Sequence, residues 1–392
     1  MKILVFESAT RLTGHRIPYA SLVARAFETD EVIVALPQVL SNEPSLAEYF
    51  CSGQLKFYET NIRRSFFAQA WESSRCLFQL IQELCPDRVL VPTADGMAVM
   101  GWAAKRYFRC GRDCPSLDIA LMVGRRPEVG MGLREKVLNR LKWWSILCGP
   151  WQRLMLMDPR SFCELGLNQR VILSPDPVPA LQAYDKTEAR RQLGIECDGR
   201  LVVSAGNQNA RKGVGELINA FCDAEIGDQD RLLLIGSFSK EIRLLIAGMR
   251  DSFRGRQLIC RDQFVSDVEF SQAIVAADLV AAPYRDTERP SGVISRCIAW
   301  GVPFWGSESG WPGWAMRQFD AGYPVRRSTP ESIACSLAAA LDQCKQFTQC
   351  DRARLFAEFN SAENYQSVWR ESLPLDSSLR TLSAETFLDA KS

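Results

Sequence analysis

The chain has 392 residues, 47 basic and 46 acidic, with 47% apolar and 24% charged side chains. This length exceeds one ordinary core and fits two α/β domains of comparable size, and the mix is that of a soluble globular protein. Near-neutral charge argues against a nucleic-acid partner, which needs a broad basic field.

The N-terminus, Met1 to Phe6, reads as a β-strand and lacks the apolar run of a signal peptide. No stretch of about 18 apolar residues follows, so the expected location is cytoplasmic. Short apolar runs then alternate with amphipathic helical patterns, the signature of parallel βα units. Strands are expected at 2–6, 31–35, 55–58, 88–91, 118–123, 153–157 and 170–173. Phe67, Ala70, Ser74, Leu77, Ile81 and Leu84 recur at helical spacing, and Pro86 marks that helix's end. Three prolines within 175–179 cannot continue a helix or central strand. They place a boundary between an N-terminal domain, 1–174, and a C-terminal one, 175–360.

In the second half, strands are expected at 201–204, 232–235, 257–260, 279–283 and 302–305. Ser266 and Glu269 form a capping box, Gly301 closes a helix over 291–300, and Thr329 with Pro330 opens another. A last helix is expected at about 361–373, followed by a mobile tail, 374–392. The fourteen cysteines are scattered singly. The closest pair, Cys110 and Cys114, has no histidines to complete a zinc site, so the set reads as small apolar side chains in a reducing cytosol. His15 is the only histidine, and any Ser-His-Asp or Cys-His chemistry would rest on it.

In doubly wound sheets, ligands bind beyond the C-terminal ends of the strands. The loop Gly206 to Gly213 places Arg211 and Lys212 just before a helix, an arrangement suited to a diphosphate and also to a solvated surface. The loop Pro283 to Gly292 sets Ser291 and Gly292 at a helix start, with Glu288 able to accept hydrogen bonds from sugar hydroxyls. The stretch from Gly206 to Gly310 resembles the donor-binding half of the retaining GT-B glycosyltransferases of family 4. The resemblance runs through Gly206…Lys212-Gly213, Leu234-Ile235-Gly236, Phe264-Val265-Ser266-Asp267, Ala277-Asp278, Glu288…Ser291-Gly292 and Gly301-Val302-Pro303.

That resemblance implies two Rossmann-like, doubly wound domains facing a central cleft, with the last helix, about 361–373, crossing back to join the first, and retaining transfer of a sugar from a nucleotide-sugar donor to a hydroxyl acceptor. It implies that Lys212 binds the donor diphosphate and Glu288 the transferred sugar. Ser291, Gly292 and Val293 would hold the distal phosphate, the main chain of Phe264 and Val265 would meet the base, and Gly14 would close over the donor. Two positions depart from the pattern. Asn207 stands where an arginine usually follows Gly206, which Arg211 would replace from another position. Arg296 stands where the second glutamate of E-x7-E holds the ribose, exchanging an acceptor for donors. That exchange is compatible with an unusual nucleotide, an extra phosphate, or a protein that binds or scaffolds without turnover. An epimerase or phosphorylase on the same architecture is a third reading.

Lys212, Arg211 and the helix start at Ser291 would stabilise the departing diphosphate, so neither metal nor cofactor is expected. The only D-x-D, Asp228 to Asp230, precedes a strand and reads as a turn. His15 is a sugar or acceptor contact, or a cap. Asp95 is an acceptor ligand or base, or the N-cap of a helix from Met97. The segment 132–148 sets Arg134, Lys136, Arg140 and Lys142 beside Leu133, Val137, Leu141 and Trp144. It is either the outer layer of an α/β domain or a helix resting on the inner face of an anionic membrane.

Overall fold

The computed structural model describes residues 1–371 except 13, 64, 108–113, 125–130, 166–167, 181–184, 197, 250–257, 286 and 289. Cys110 and the tail 374–392 lie outside the described residues. The chain divides into two units: Met1–Pro177 with the final helix, and the segment from Val178 to Ser361. The division falls inside the proline-rich segment.

In the first unit the strands are β1 (Lys2–Phe6), β2 (Glu31–Pro37), β3 (Leu55–Tyr58), β4 (Arg88–Val91), β5 (Ser116–Leu121), β6 (Arg153–Leu156) and β7 (Val171–Leu173). They form one seven-stranded sheet in the order β3-β2-β1-β4-β5-β6-β7, every pair parallel. The helices are α1 (Arg16–Arg25), α2 (Phe66–Leu84), α3 (Gly101–Tyr107), α4 (Leu133–Leu147) and α5 (Pro159–Leu165). A sheet covered on both faces needs strands that are apolar throughout. In β1, Ile3 and Val5 enter one core cluster while Leu4 and Phe6 enter the other. The order reverses between β1 and β4, the topological switch point.

The second unit has α6 (Lys186–Gln192) and the six parallel strands β8 (Leu201–Ala205), β9 (Arg231–Gly236), β10 (Leu258–Asp262), β11 (Leu279–Ala282), β12 (Phe304–Gly306) and β13 (Gly322–Pro324). Their order is β10-β9-β8-β11-β12-β13, with the switch point between β8 and β11. The helices are α7 (Val214–Asp223), α8 (Lys240–Gly248), α9 (Asp267–Ala276), α10 (Gly292–Trp300), α11 (Gly310–Phe319), α12 (Pro330–Gln343) and α13 (Asp351–Phe359). Local chemistry fixes several ends: Ser266 accepts from the Glu269 amide at 3.2 Å while Glu269 accepts from the Ser266 amide at 3.2 Å. Thr329 caps α12 with Pro330 at its first position. The edge strand β13 escaped the sequence reading because three residues containing Gly and Pro carry no strand pattern.

The final helix, α14 (Ala362–Arg370), belongs to the first unit. It buries Tyr365, Val368 and Trp369 in the core cluster that holds Tyr19 and Val23 of α1. Its last carbonyls point at two buried arginines. Arg153 donates to Val368 at 2.7 Å and Arg88 to Trp369 at 2.8 Å, and each guanidinium lies 2.8 Å from the Asp118 carboxylate. Cations at a helix C-terminus meet the negative end of its dipole, and Asp118 prevents the two from repelling each other. Burial lowers the Arg88 pKa, an effect Asp118 opposes. Asp118→Ala would leave two buried cations uncompensated. We expect it to destabilise the protein by about 3–5 kcal/mol in urea unfolding, whereas Asp185→Ala at an exposed cap should cost about 1 kcal/mol.

Candidate functional site

The second unit gathers its polar residues where β8 and β11 end. After Ala205 the chain turns at Gly206, whose φ of +93° suits glycine; a Cβ there would sit 2.8 Å from Lys212 Nζ and 3.6 Å from the Phe270 ring. The turn is held from within by Gln208. This fully buried side chain donates to the carbonyls of Ser204 at 2.8 Å, Gly206 at 3.0 Å and Ile235 at 3.1 Å. Asn209 then caps the short turn Ala210–Lys212, accepting the Lys212 amide at 3.2 Å. At Gly213 φ is +69°, and a Cβ would lie 2.0 Å from the Pro283 carbonyl oxygen. The two loops therefore touch, and the Arg285 amide donates to the Arg211 carbonyl at 2.9 Å.

Lys212 reaches back along its own loop. Its ammonium donates to the Ala205 carbonyl at 2.8 Å and lies 5.6 Å from the centre of the Tyr284 ring. No carboxylate pairs with it among the described residues. Burial, and secondarily Arg211, push its pKa down from 10.5 to about 8. Tyr284 is itself held by the 3.2 Å hydrogen bond between its hydroxyl and that of Ser291, the N-cap of α10. Lys212, Tyr284 and the start of α10, with Gly292 and Val293, thus form one cluster. Its outer support is Arg327, which donates to the Pro283 carbonyl at 2.6 Å and to Ser307 at 2.7 Å and pairs with Glu216 at 3.0 Å. Glu216 also pairs with Arg285 at 2.8 Å.

Arg296 is buried, with its guanidinium 4.7 Å from the Phe270 ring centre and 5.9 Å from that of Trp300. It meets Asp267, at the start of α9, at 3.4 Å. Phe270 is thus approached by Gly206, beside Lys212, and by Arg296. Glu288 is half-buried in the loop before Ser291, and the neighbouring Thr287 carbonyl accepts the Trp311 amide at 2.6 Å. Asn207 is exposed, Phe264 is 75% exposed, and Val265 is half-buried in the segment between β10 and α9. Asp230, from the D-x-D, is at the opposite, N-terminal end of the strands; it binds Arg200 at 2.6 Å at the start of β9. No cluster of three potential metal ligands occurs among the described residues.

In the first unit the structure overturns the helix-cap readings around the switch point. Asp95 is not a helix N-cap. Its carboxylate instead accepts the amides of Met122 at 3.2 Å and Val123 at 2.7 Å beyond β5, and burial raises its pKa. The 3₁₀ turn at Ala98–Met100 is instead closed by the Ala94 carbonyl, which takes the amides of Met97 and Ala98. His15 precedes α1 with no side-chain capping bond and stacks on Tyr19, ring centres 5.5 Å apart. Gly14 has φ +84° and open space around it. Glu7, which sequence reasoning passed over, is buried at the end of β1. It accepts from Thr93 beyond β4 and from the Ala9 amide at 2.7 Å, with Arg16 at 3.5 Å. Burial raises its pKa, partly offset by Arg16.

No family model matches the chain, and no curated protein matches it in sequence. Solved structures do match over nearly its whole length. WaaG, a glycosyltransferase involved in lipopolysaccharide biosynthesis, is similar with a TM-score of 0.62 and 15% identity, covering 98% of this chain and 99% of its own. HepE from Anabaena, in complex with UDP, gives 0.63 and 16%, covering 99% and 100%. Sucrose-phosphate synthase from Thermosynechococcus elongatus gives 0.64 and 15%, covering 98% and 96%. The chain has the GT-B fold. At these identities a GT-B architecture is what is shared, and function has to be argued from the residues.

The depressed pKa of Lys212 has a measurable consequence. Below about pH 8 the site offers an ammonium to an anion, and above it the free site loses that charge. Affinity for an added anion such as pyrophosphate should fall as pH rises through about 8 in isothermal titration. In Lys212→Arg it should stay flat there, because a guanidinium keeps its proton.

Proposed function

We propose that the protein transfers a glycosyl group from a nucleotide-sugar donor to a hydroxyl acceptor, with retention at the anomeric carbon. The observation that carries this reading is the half-buried Lys212 ammonium. It has no carboxylate partner among the described residues and stands beside the Ser291-capped start of α10, at the switch point of the second sheet. A cation held there awaits an anion, and the amides of Gly292 and Val293 offer further donors. Lys212 and Arg211 would stabilise the diphosphate as the bond to the sugar breaks. Glu288 would receive the sugar's hydroxyls, the main chain at Phe264 and Val265 would meet the base, and Asn207 would lie beside the phosphates. Arg296 would face the ribose through donors only, which suits a nucleotide bearing an added acceptor group. Gly14 would close over the donor, His15 and Asp95 are proposed for the acceptor side, and the scheme uses neither metal nor cofactor.

HepE was solved with UDP, which makes the uridine nucleotide the first to try. Thermal unfolding against UDP, GDP, ADP, CDP and dTDP should show stabilisation by one of them. A ligand at about 100 times its Kd adds about 2.7 kcal/mol, and Lys212→Ala should abolish the shift. With the matching sugar nucleotide, Lys212→Ala should lower kcat by about 10²- to 10³-fold, and proton NMR of the product should show the donor's anomeric configuration. No stabilisation by any nucleotide would instead support the binding-protein reading.

We further propose that α4 rests on an anionic membrane surface and that the acceptor is lipid-linked. Leu133, Leu138, Leu141 and Trp144 of α4 are each more than half exposed, beside exposed Arg134 and Arg140. No helix among the described residues is long and apolar enough to cross a membrane. Vesicles rich in phosphatidylglycerol should float the protein at low salt. Arg134→Glu with Arg140→Glu should weaken flotation sharply, since each basic residue near such a surface contributes about 1 kcal/mol.

A further inference from the structure

We propose that Tyr284 is a positioning residue of the anion site in the second unit: its ring face holds the Lys212 ammonium and its hydroxyl holds Ser291. This rests on the donor reading above and adds a residue to it. The ammonium lies 5.6 Å from the ring centre, and the Ser291 hydroxyl donates to the phenol oxygen at 3.2 Å. One aromatic side chain therefore meets both the cation of the first loop and the cap of α10.

The backbone fixes the ring. Ser307 donates to the Tyr284 carbonyl at 2.6 Å, and Arg327 donates to the Pro283 carbonyl at 2.6 Å. Gly213 packs on that same Pro283 carbonyl from the other loop. Tyr284 is 6% exposed, so its ring has little room to swing. Burial pushes the phenol up to about 12, and it stays neutral wherever Lys212 titrates. Burial also pushes up the Cys297 thiol, on α10 near Tyr284, and Arg211 is the charged neighbour that acts on Lys212.

A ring suits this position better than a carboxylate. An aspartate against Lys212 would hold the ammonium but cancel the charge that an anion needs. An aromatic face attracts a cation through its quadrupole and carries no net charge. Lys212 gives one N–H to the Ala205 carbonyl at 2.8 Å, lies against the ring, and keeps donor capacity for an incoming phosphoryl group. At the other end, the Ser291 oxygen accepts the Ile294 amide at 3.5 Å while its hydroxyl donates to the phenol. That tie fixes the cap, and with it the direction of the Gly292 and Val293 amides.

Lys212 can be followed in the full chain without any anion, through the pH dependence of its ε-carbon NMR resonance, assigned by its absence in Lys212→Met. The midpoint, about 8 in wild type, should persist in Tyr284→Phe, which keeps the ring. It should fall by about one pH unit with pentafluorophenylalanine at position 284, which keeps the shape but withdraws electrons from the ring face. Tyr284→Leu should lower it likewise. Pyrophosphate binding, measured by calorimetry well below that midpoint, reports on the hydroxyl. Tyr284→Phe and Ser291→Ala should each weaken it about threefold to tenfold, and the double variant should be little worse than either. Equal midpoints in the phenylalanine and fluorinated forms, or full additivity of the two hydroxyl variants, would overturn the proposal. Wild type that binds no pyrophosphate while its Lys212 midpoint still follows the ring would overturn the donor reading and the part given to Ser291, and would keep the ring's hold on Lys212.

Discussion

One buried carboxylate holds the first unit to a helix made from the far end of the chain. Asp118 stands between Arg88 and Arg153, and those arginines grip the final carbonyls of α14. Each part requires the others. Without α14 the guanidiniums would lose their carbonyl partners, and without Asp118 they would face each other in a core where charge is costly. With all three present, α14 covers α1 and completes one face of the sheet with Tyr365, Val368 and Trp369. The loops after β1, β4 and β5, where Glu7 meets Thr93 and Asp95 meets the Met122 and Val123 amides, stand on that sheet.

The second unit solves the reverse problem. Its charge at the switch point is left without a carboxylate among the described residues, and the surroundings are built to tolerate it. Gly213 lets the two loops approach more closely than any side chain would allow, Gly206 leaves room for the Lys212 ammonium, Gln208 satisfies carbonyls of β8, the turn and β9, and Arg327 fixes the backbone on which Tyr284 sits. The rigidity lies around Lys212 rather than in it, a division of labour suited to a site that must meet a separate anion.

Much of this was legible locally. Apolar runs gave the strands, and Ser266, Thr329, Ser291 and Gly301 marked helix ends, because caps act within four residues. Lys212 and Ser291 stood out since each precedes a helix after a strand. The supports did not. Arg88 reads as a strand residue, and only the structure shows that its partner is 30 residues away and its carbonyl 281 away. Gln208 and Arg327 look like ordinary loop residues until the carbonyls they serve are located. Asp95 shows how such readings fail: an aspartate ahead of a helical turn suggests a cap, yet the amides of Met122 and Val123 compete for it and win.

The clasp on α14 also sets an order in time. A ribosome delivers Arg153 long before Trp369, which lies 216 positions further on. At about 5–20 residues per second that interval lasts on the order of 10–40 seconds. Throughout it the first sheet stands without its last covering helix, and before it ends every strand described in the second unit, the last at Gly322–Pro324, has been made. The half of the molecule synthesised first is therefore the half that finishes last, and during that wait its uncovered α1 face is the surface a chaperone would have to shield.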